Sequence, residues 1–401
     1  MERGFAKFTI TEKGERALRS GHVWVYGDEV TSITGDYENG SVVDVYSQKG
    51  KWLGAGFVND NSKIRVRILS HNPNDRFDRE FFRRRLDYAI RYRRQVMGRD
   101  FSACRLIFGE ADGFPGLTVD RFGDIIVTEV LSLGCDRIRD IIYTELVSLL
   151  GDCGVTVRAI YERSDSPLRE KEGLPRFCGY TYGSGDGHVV INENGVLYDV
   201  DYENGQKTGF FLDQKYNRAA VAKIAPGLRV LDCFTHTGAF ALNCARAGAA
   251  SVLAVDISKD ALDSARRNAA LNKLDNVDFL ECDVFDYLTE LSSMKSKSFD
   301  FIILDPPAFT KSSATVGGAY RGYKDINMRA MKSLPRGGYL ATCSCSHFMK
   351  DDIFRRMLAD AASDAAVSLR QIEVRRQSPD HPILWGVPET EYLKFYIFQI
   401  V

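Results

Sequence analysis

Val230 to Asp256 read V-L-D-C-F-T-H-T-G-A-F-A-L-N-C-A-R-A-G-A-A-S-V-L-A-V-D, and the fold of the chain turns on this stretch. Val230-Leu231 close an apolar run that reads as a buried strand, and Gly238 opens an alanine-rich helical pattern through Ala247. Gly248 stops the helix, and Ser251 to Val255 form a second apolar, β-branched run ending in Asp256. Strand, tight turn, helix, strand, acid is half of a nucleotide-binding α/β sheet, in which the carboxylate after the second strand takes both ribose hydroxyls. The turn T-H-T-G has one glycine where a dinucleotide fingerprint needs three. An acid, Asp232, ending the first strand suits a ligand without phosphates; the bland alternative is an unliganded α/β core.

After Asp256 the alternation continues. A helix is expected over 260–272 and strands over 277–281 and 299–304. Another strand follows at 338–342, then a helix at 351–360 and closing strands near 368–374 and 392–401. Seven such strands make a doubly wound sheet with its ligands at the carboxyl ends of the strands. Upstream, Val196, Tyr198, Val200 and Tyr202 alternate with acids as a half-exposed strand. A polar loop, N-G-Q-K-T-G-F-F-L-D-Q from Asn204, then leads into a helix capped at or near Asp213. That loop either closes over the ligand or is a plain hairpin.

Residues 1–74 read as a small all-β module with short strands at 23–26, 41–46, 52–57 and 64–69. Residues 75–190 open with a helix whose stripe is Phe82, Leu86, Ala89, Ile90, Arg93 and Met97. Around it stand nine arginines, no lysine and five acids, so Arg84 and Arg85 are candidate phosphate contacts, against the bland reading of a solvated helix. A small α+β segment follows, and residues 191–401 hold the doubly wound sheet. The net charge of −1 predicts no whole-chain attraction to a polyanion. Nine cysteines without a C-x-x-C pair, and six histidines without ligand spacing, point to a reduced protein with no metal. With no signal-peptide profile and no long apolar run, the expectation is a cytoplasmic protein without a membrane partner.

Three strand ends gather the chemistry. Asp283 ends the third in E-C-D-V, Asp305 the fourth in L-D-P-P-A-F, and Cys343 and Cys345 the fifth in T-C-S-C-S. Pro306-Pro307 fix a rigid backbone after the acid, and Phe309 offers a face for a flat base. Asp232, Phe234, Thr235, Thr237 and Gly238 of the turn are candidate cofactor contacts. So are Asp256-Ile257, Asp283-Val284 and Asp213; the ligand expected there is S-adenosylmethionine. Carbon 5 of cytosine is a poor nucleophile until a thiolate adds to carbon 6, and an acid at ring nitrogen 3 takes up the developing charge. Cys345 is the candidate thiolate and Asp305 the candidate acid. Cys343, flanked by Thr342 and Leu340-Ala341, is expected to pack against the adjacent helix, with Cys345 roughly 6–7 Å nearer the open edge.

Over nearly its whole length the sequence resembles the bacterial class I S-adenosylmethionine-dependent methyltransferases that make 5-methylcytosine in large-subunit ribosomal RNA. The resemblance is carried by G-H-V-W-V-Y, F-G-E-A-D-G-F-P-G-L-T-V-D-R-F, Y-E-R-S-D, N-G-Q-K-T-G-F-F-L-D-Q-K, D-C-F-T-H-T-G, D-P-P-A-F, R-G-Y-K-D-I-N and T-C-S-C-S. It implies a β-barrel-like PUA domain that binds RNA, a small central α+β domain and a Rossmann-like methyltransferase domain. It also implies that Asp256 holds the ribose, Asp283 the adenine, that Asp305 contacts the base, and that Arg321, Tyr323 and Lys324 lie in a substrate-side loop. The partner is then RNA, and a homodimer is compatible with the reading. Ala308 stands where related enzymes carry a second cysteine, so the base for the carbon-5 proton is unassigned. Guanine N7 methylation and a non-catalytic RNA-binding role are the competing readings.

Overall fold

A computed structural model describes residues 3–310 and 312–401. The chain divides into two compact units with interleaved boundaries. One holds residues 1–191, 200–212 and 379–390; the other holds 192–199, 213–378 and 391–401.

In the first unit, β1 (Lys7–Ile10), α1 (Glu12–Arg19), β2 (Trp24–Tyr26), β3 (Val30–Thr34), β4 (Val42–Ser47), β5 (Trp52–Val58) and β6 (Ile64–Ser70) come first. The strands form one sheet in the order β2-β6-β5-β4-β1-β3. Alternation buries Val66 and Ile68 in its core beside Phe8, Val43 and Val45. The module is therefore not all-β, since α1, started by the Thr11 side chain, lies within it. Arg67 on β6 is buried, its guanidinium meeting Glu172 at 2.9 Å.

α2 (Arg79–Met97) begins where Asp78 accepts from the Phe81 amide at 2.9 Å, and it buries the expected stripe together with Phe81. β7 (Ala103–Phe108), β8 (Leu117–Phe122), β9 (Ile125–Val130), α3 (Leu133–Arg137), α4 (Arg139–Asp152), β10 (Ala159–Ser164), α5 (Pro167–Lys171) and β11 (Phe177–Gly183) follow. Their sheet order is β11-β10-β9-β8-β7. β12 (His188–Glu193) and β13 (Val196–Asp201) pair as a hairpin.

The second unit runs α6 (Lys215–Ala222), β14 (Arg229–Cys233), α7 (Ala239–Arg246), β15 (Ser251–Asp256), α8 (Lys259–Leu271), β16 (Val277–Glu281), α9 (Val284–Ser293), β17 (Phe301–Leu304), α10 (Val316–Ser333), β18 (Tyr339–Ser344), α11 (Asp351–Asp364), β19 (Leu369–Arg375) and β20 (Lys394–Ile400). Its seven strands lie in the order β16-β15-β14-β17-β18-β20-β19. The first five are parallel, and β20 runs antiparallel between β18 and β19. Strands buried on both faces, such as Phe301–Leu304, explain why they read as unbroken apolar runs. The direction of winding reverses between β14 and β17, which opens a crevice at their carboxyl ends. No described helix is long and apolar enough to cross a membrane, and no group of three or more potential metal ligands gathers among the described residues.

Candidate active site

The turn after β14 is strained. Phe234 (φ 62°), His236 (φ 51°) and Gly238 (φ 82°) all occupy the left-handed region. Gly238 is required twice over, because a Cβ there would also lie 3.0 Å from Ala265 Cβ where α7 meets α8. Asp232 ends the strand fully buried. Its Oδ2 accepts from Thr235 Oγ1 (2.6 Å) and the Ala241 amide (2.9 Å), while Oδ1 is buried with no hydrogen-bond partner among the described residues. Burial, reinforced by Asp305 and Asp256, pushes its carboxyl up to about 7. Asp256 accepts from the His236 amide on one oxygen and the Ser258 amide on the other, both at 2.9 Å, which leaves a lone-pair site on each. Asp283 lies past β16 and caps α9, taking the Phe285 amide at 2.7 Å.

Across the crevice, Asp305 follows β17 and its carboxyl is raised above the usual carboxylate range, mainly by burial. Its Oδ1 accepts from Cys343 Sγ at 2.8 Å and from Gln214 Nε2 at 3.2 Å. Asn217 orients Gln214 by donating to its Oε1 at 2.6 Å, and Arg375 in turn donates to Asn217 at 3.0 Å. Cys343 is thus not packed away against a helix as expected. β18 pairs with β17 so that Thr342 stands opposite Leu304, which carries the next residue's thiol to the acid after it. Burial and Asp305 together push the Cys343 thiol far up, so it stays protonated. Cys345 lies just beyond β18 and is half-buried. Ser346 Oγ donates to the Thr310 carbonyl at 2.9 Å and ties the C-S-C-S segment to the D-P-P-A-F-T loop.

Residues 8–71 match the PUA-like domain family, and residues 174–398 match the S-adenosylmethionine-dependent methyltransferase family. The ribosomal RNA large subunit methyltransferase I of Aeromonas hydrophila is 43% identical over 394 residues, 97% of this chain and 98% of that protein. The chain belongs to the ribosomal RNA large subunit methyltransferase I family. Its member from Shewanella amazonensis is likewise 43% identical, over 96% of this chain and 97% of its own length. A solved Streptococcus mutans protein, described as an S-adenosylmethionine-dependent methyltransferase, shares the fold at a TM-score of 0.82 and 22% identity, covering 98% of this chain and 99% of that one. A second solved methyltransferase, complexed with S-adenosylhomocysteine, aligns with the same TM-score at 21% identity, over the same shares of both chains.

The cofactor of the family is S-adenosylmethionine, and the residues around the turn fit it. Asp232 Oδ1 is an orphaned buried carboxylate oxygen suited to a cationic donor, Asp256 keeps acceptor sites for a diol, and Ile257 stands 67% exposed beside it as an apolar face without a cover. Val284 is buried and Phe234 and Thr237 are half-buried in the same region. The cap of α6 falls one residue past Asp213, at Gln214; Asp213 itself sits in a 3-10 turn and takes the Tyr392 hydroxyl at 2.6 Å.

The substrate-side expectations divide. Pro306 is buried and Pro307 exposed, while Phe309 packs 4.5 Å from the Tyr323 ring and 5.8 Å from Phe285. Arg321, Tyr323 and Lys324 lie in α10, not in a loop. There Tyr323 is fully buried and accepts from Ser344 at 3.0 Å, Lys324 pairs with Asp364 at 2.8 Å, and Arg321 is exposed. The reason is periodic: Ala319, Tyr323, Ile326, Asn327 and Ala330 make a buried stripe that the charged spacing hides. In the first unit Arg84 is exposed and meets Asp75 at 3.1 Å, whereas Arg85 is tucked against the Leu69 and Gly113 carbonyls. Sequence reasoning passed over Gln214 and Lys394. The first hid in a polar loop; the second, a lysine heading the apolar run K-F-Y-I-F-Q-I, was a visible anomaly.

Proposed function

We propose that this chain methylates carbon 5 of a cytosine in large-subunit ribosomal RNA through a cysteine adduct at carbon 6. The relatives' names supply the RNA class. The cytosine reading is supported chiefly by one observation: a carboxyl with a raised proton affinity, followed by two prolines, stands at the same sheet edge as a pair of strand-end cysteines. S-adenosylmethionine supplies an electrophilic methyl group. Of the chain's own residues, Asp305, whose hold on a proton burial strengthens, is the group that shares a proton with ring nitrogen 3, and Gln214 and Cys343 fix its orientation. Cys345, half-buried beyond the strand, adds to carbon 6 and makes carbon 5 nucleophilic. Cys343 is the weaker candidate because its thiol is fully buried and already donated to Asp305. Asp256 and Asp283 bind the cofactor's ribose and adenine, and Arg84 contacts RNA phosphate.

RNA carrying 5-fluorocytosine blocks the final elimination, so a methylated protein–RNA adduct is expected, mapping to Cys345 by peptide mass spectrometry. Cys345→Ala is expected to lose methyl transfer and keep cofactor binding, while Cys343→Ala still forms the adduct. An adduct on Cys343 reverses the assignment, and methylation without any adduct defeats the covalent route.

A further inference from the structure

Lys394 heads β20 opposite Ser344 in the antiparallel register, one residue from Cys345. It is only 4% exposed. Its Nζ donates to the Ser346 carbonyl at 2.6 Å and the Tyr392 carbonyl at 2.7 Å. The first of these carbonyls belongs to the residue after Cys345 and holds the amine at the cysteine segment, yet both acceptors are neutral. No carboxylate lies within ion-pair distance of Nζ among the described residues. A buried ammonium with only neutral acceptors is costly, and buried charges normally have a partner.

The charged and titratable groups around it narrow that partner. Asp351, a carboxylate that favours the ammonium, is taken by the Tyr396 hydroxyl at 2.6 Å and by Arg376 at 3.4 Å, and Arg376 itself opposes the lysine. Cys343 is held as a neutral thiol by burial and Asp305. The Tyr323 phenol, which takes the Ser344 hydroxyl from α10, is pushed up by burial and stays neutral as well. Cys345 is the acid whose charge favours the ammonium most. Burial draws the lysine down to about 8, still above neutrality, so the cation persists at physiological pH.

We propose that the Lys394 ammonium is the counter-charge that holds Cys345 as a thiolate, an activating role that rests on the reading of Cys345 as the attacking residue. Attraction is mutual: a cation that is favoured by the thiolate also favours it, and cysteines beside lysine are acidified in this way. Lys394 acts through Cys345, keeps its own proton and is a positioning residue.

The test is the pH profile of iodoacetamide alkylation in the full-length protein, read at the Cys345 peptide by mass spectrometry with glutathione in the same tube as reference. Wild-type Cys345 is expected to reach half-maximal rate about one pH unit or more below glutathione, a tenfold gain in thiolate fraction at low pH. Lys394→Met is expected to raise that midpoint by about one unit or more, and Lys394→Arg to bring it back down. A smaller shift in a Met variant that melts cooperatively, or a wild-type midpoint no lower than glutathione's, overturns the proposal. Should the Met variant fail to fold, the wild-type comparison decides alone. Retention of methyl transfer in Cys345→Ala would remove the nucleophile reading and leave the alkylation result standing, so the two failures are distinct.

Discussion

Asp232 shows what a single side chain does to this enzyme without its cofactor. Its carboxyl, near 3.8 in an unfolded chain, sits at about 7 in the folded protein. The native state therefore binds the proton more tightly than the unfolded state. The stability this contributes is fully present below 3.8 and is lost as pH rises through about 7, at up to about 1.4 kcal/mol per unit. Asp232→Asn keeps an oxygen for Thr235 and the Ala241 amide but does not titrate. In thermal melts of cofactor-free protein between pH 5 and 8, the wild type is expected to lose stability more steeply than the variant, which also binds S-adenosylmethionine more weakly. Parallel pH dependences would show that the buried oxygen is already satisfied. At this scale the sequence was informative about which acids matter, because each follows an apolar run. It misplaced Cys343, which it set against a helix: the position one step past Thr342 puts the thiol on Asp305, and that depends on the register between β17 and β18.

Elements show where periodicity decides and where it misleads. The stripe of α2 was legible because six of its seven buried positions repeat at the helical spacing. The fate of its arginines was not, since partners outside the helix claim them: Arg83 reaches Glu145 and Asp152, more than 60 residues on, and Arg93 is wholly buried on Asp112, 19 residues on. α10 was missed because glycines and charges break its pattern. Two neighbouring arginines on α2 are thus predicted to behave differently. Arg84→Ala is expected to weaken RNA binding and flatten its salt dependence by about 0.7–0.9 in log–log slope, with little effect on melting. Arg85→Ala strips the Leu69 and Gly113 carbonyls of their donor and is expected to cost roughly 1–3 kcal/mol of stability in denaturant titrations. Equal salt slopes for Arg84→Ala and wild type would assign that arginine to Asp75 alone.

For the whole molecule, the seven strands of the second unit were each legible, as were four of the six strands of the first sheet, but the partition was not. A cut between residues 190 and 191 follows the change in sequence character, yet residues 200–212 and 379–390 cluster with the first unit. Thr208 bonds Asp120 at 2.6 Å, and Asp380 takes the Arg105 amide at 2.8 Å while its carbonyl takes Arg93 at 2.9 Å. A fragment of residues 191–401 removes every one of these partners. It is expected to bind a hydrophobic dye and melt without a sharp transition, as read by calorimetry; a cooperative melt matching that of the full chain would show that the two segments are dispensable.

The same interleaving sets a clock on synthesis. The first 191 residues leave the ribosome well ahead of Asp380, the acid that closes over Arg93 and Arg105. At roughly 5–20 residues per second, the intervening stretch of about 190 residues takes roughly 10–40 s to make. For that interval the nascent first unit waits without the Asp380 acceptors for the Arg93 side chain and the Arg105 amide, and it is completed only when that later segment is made.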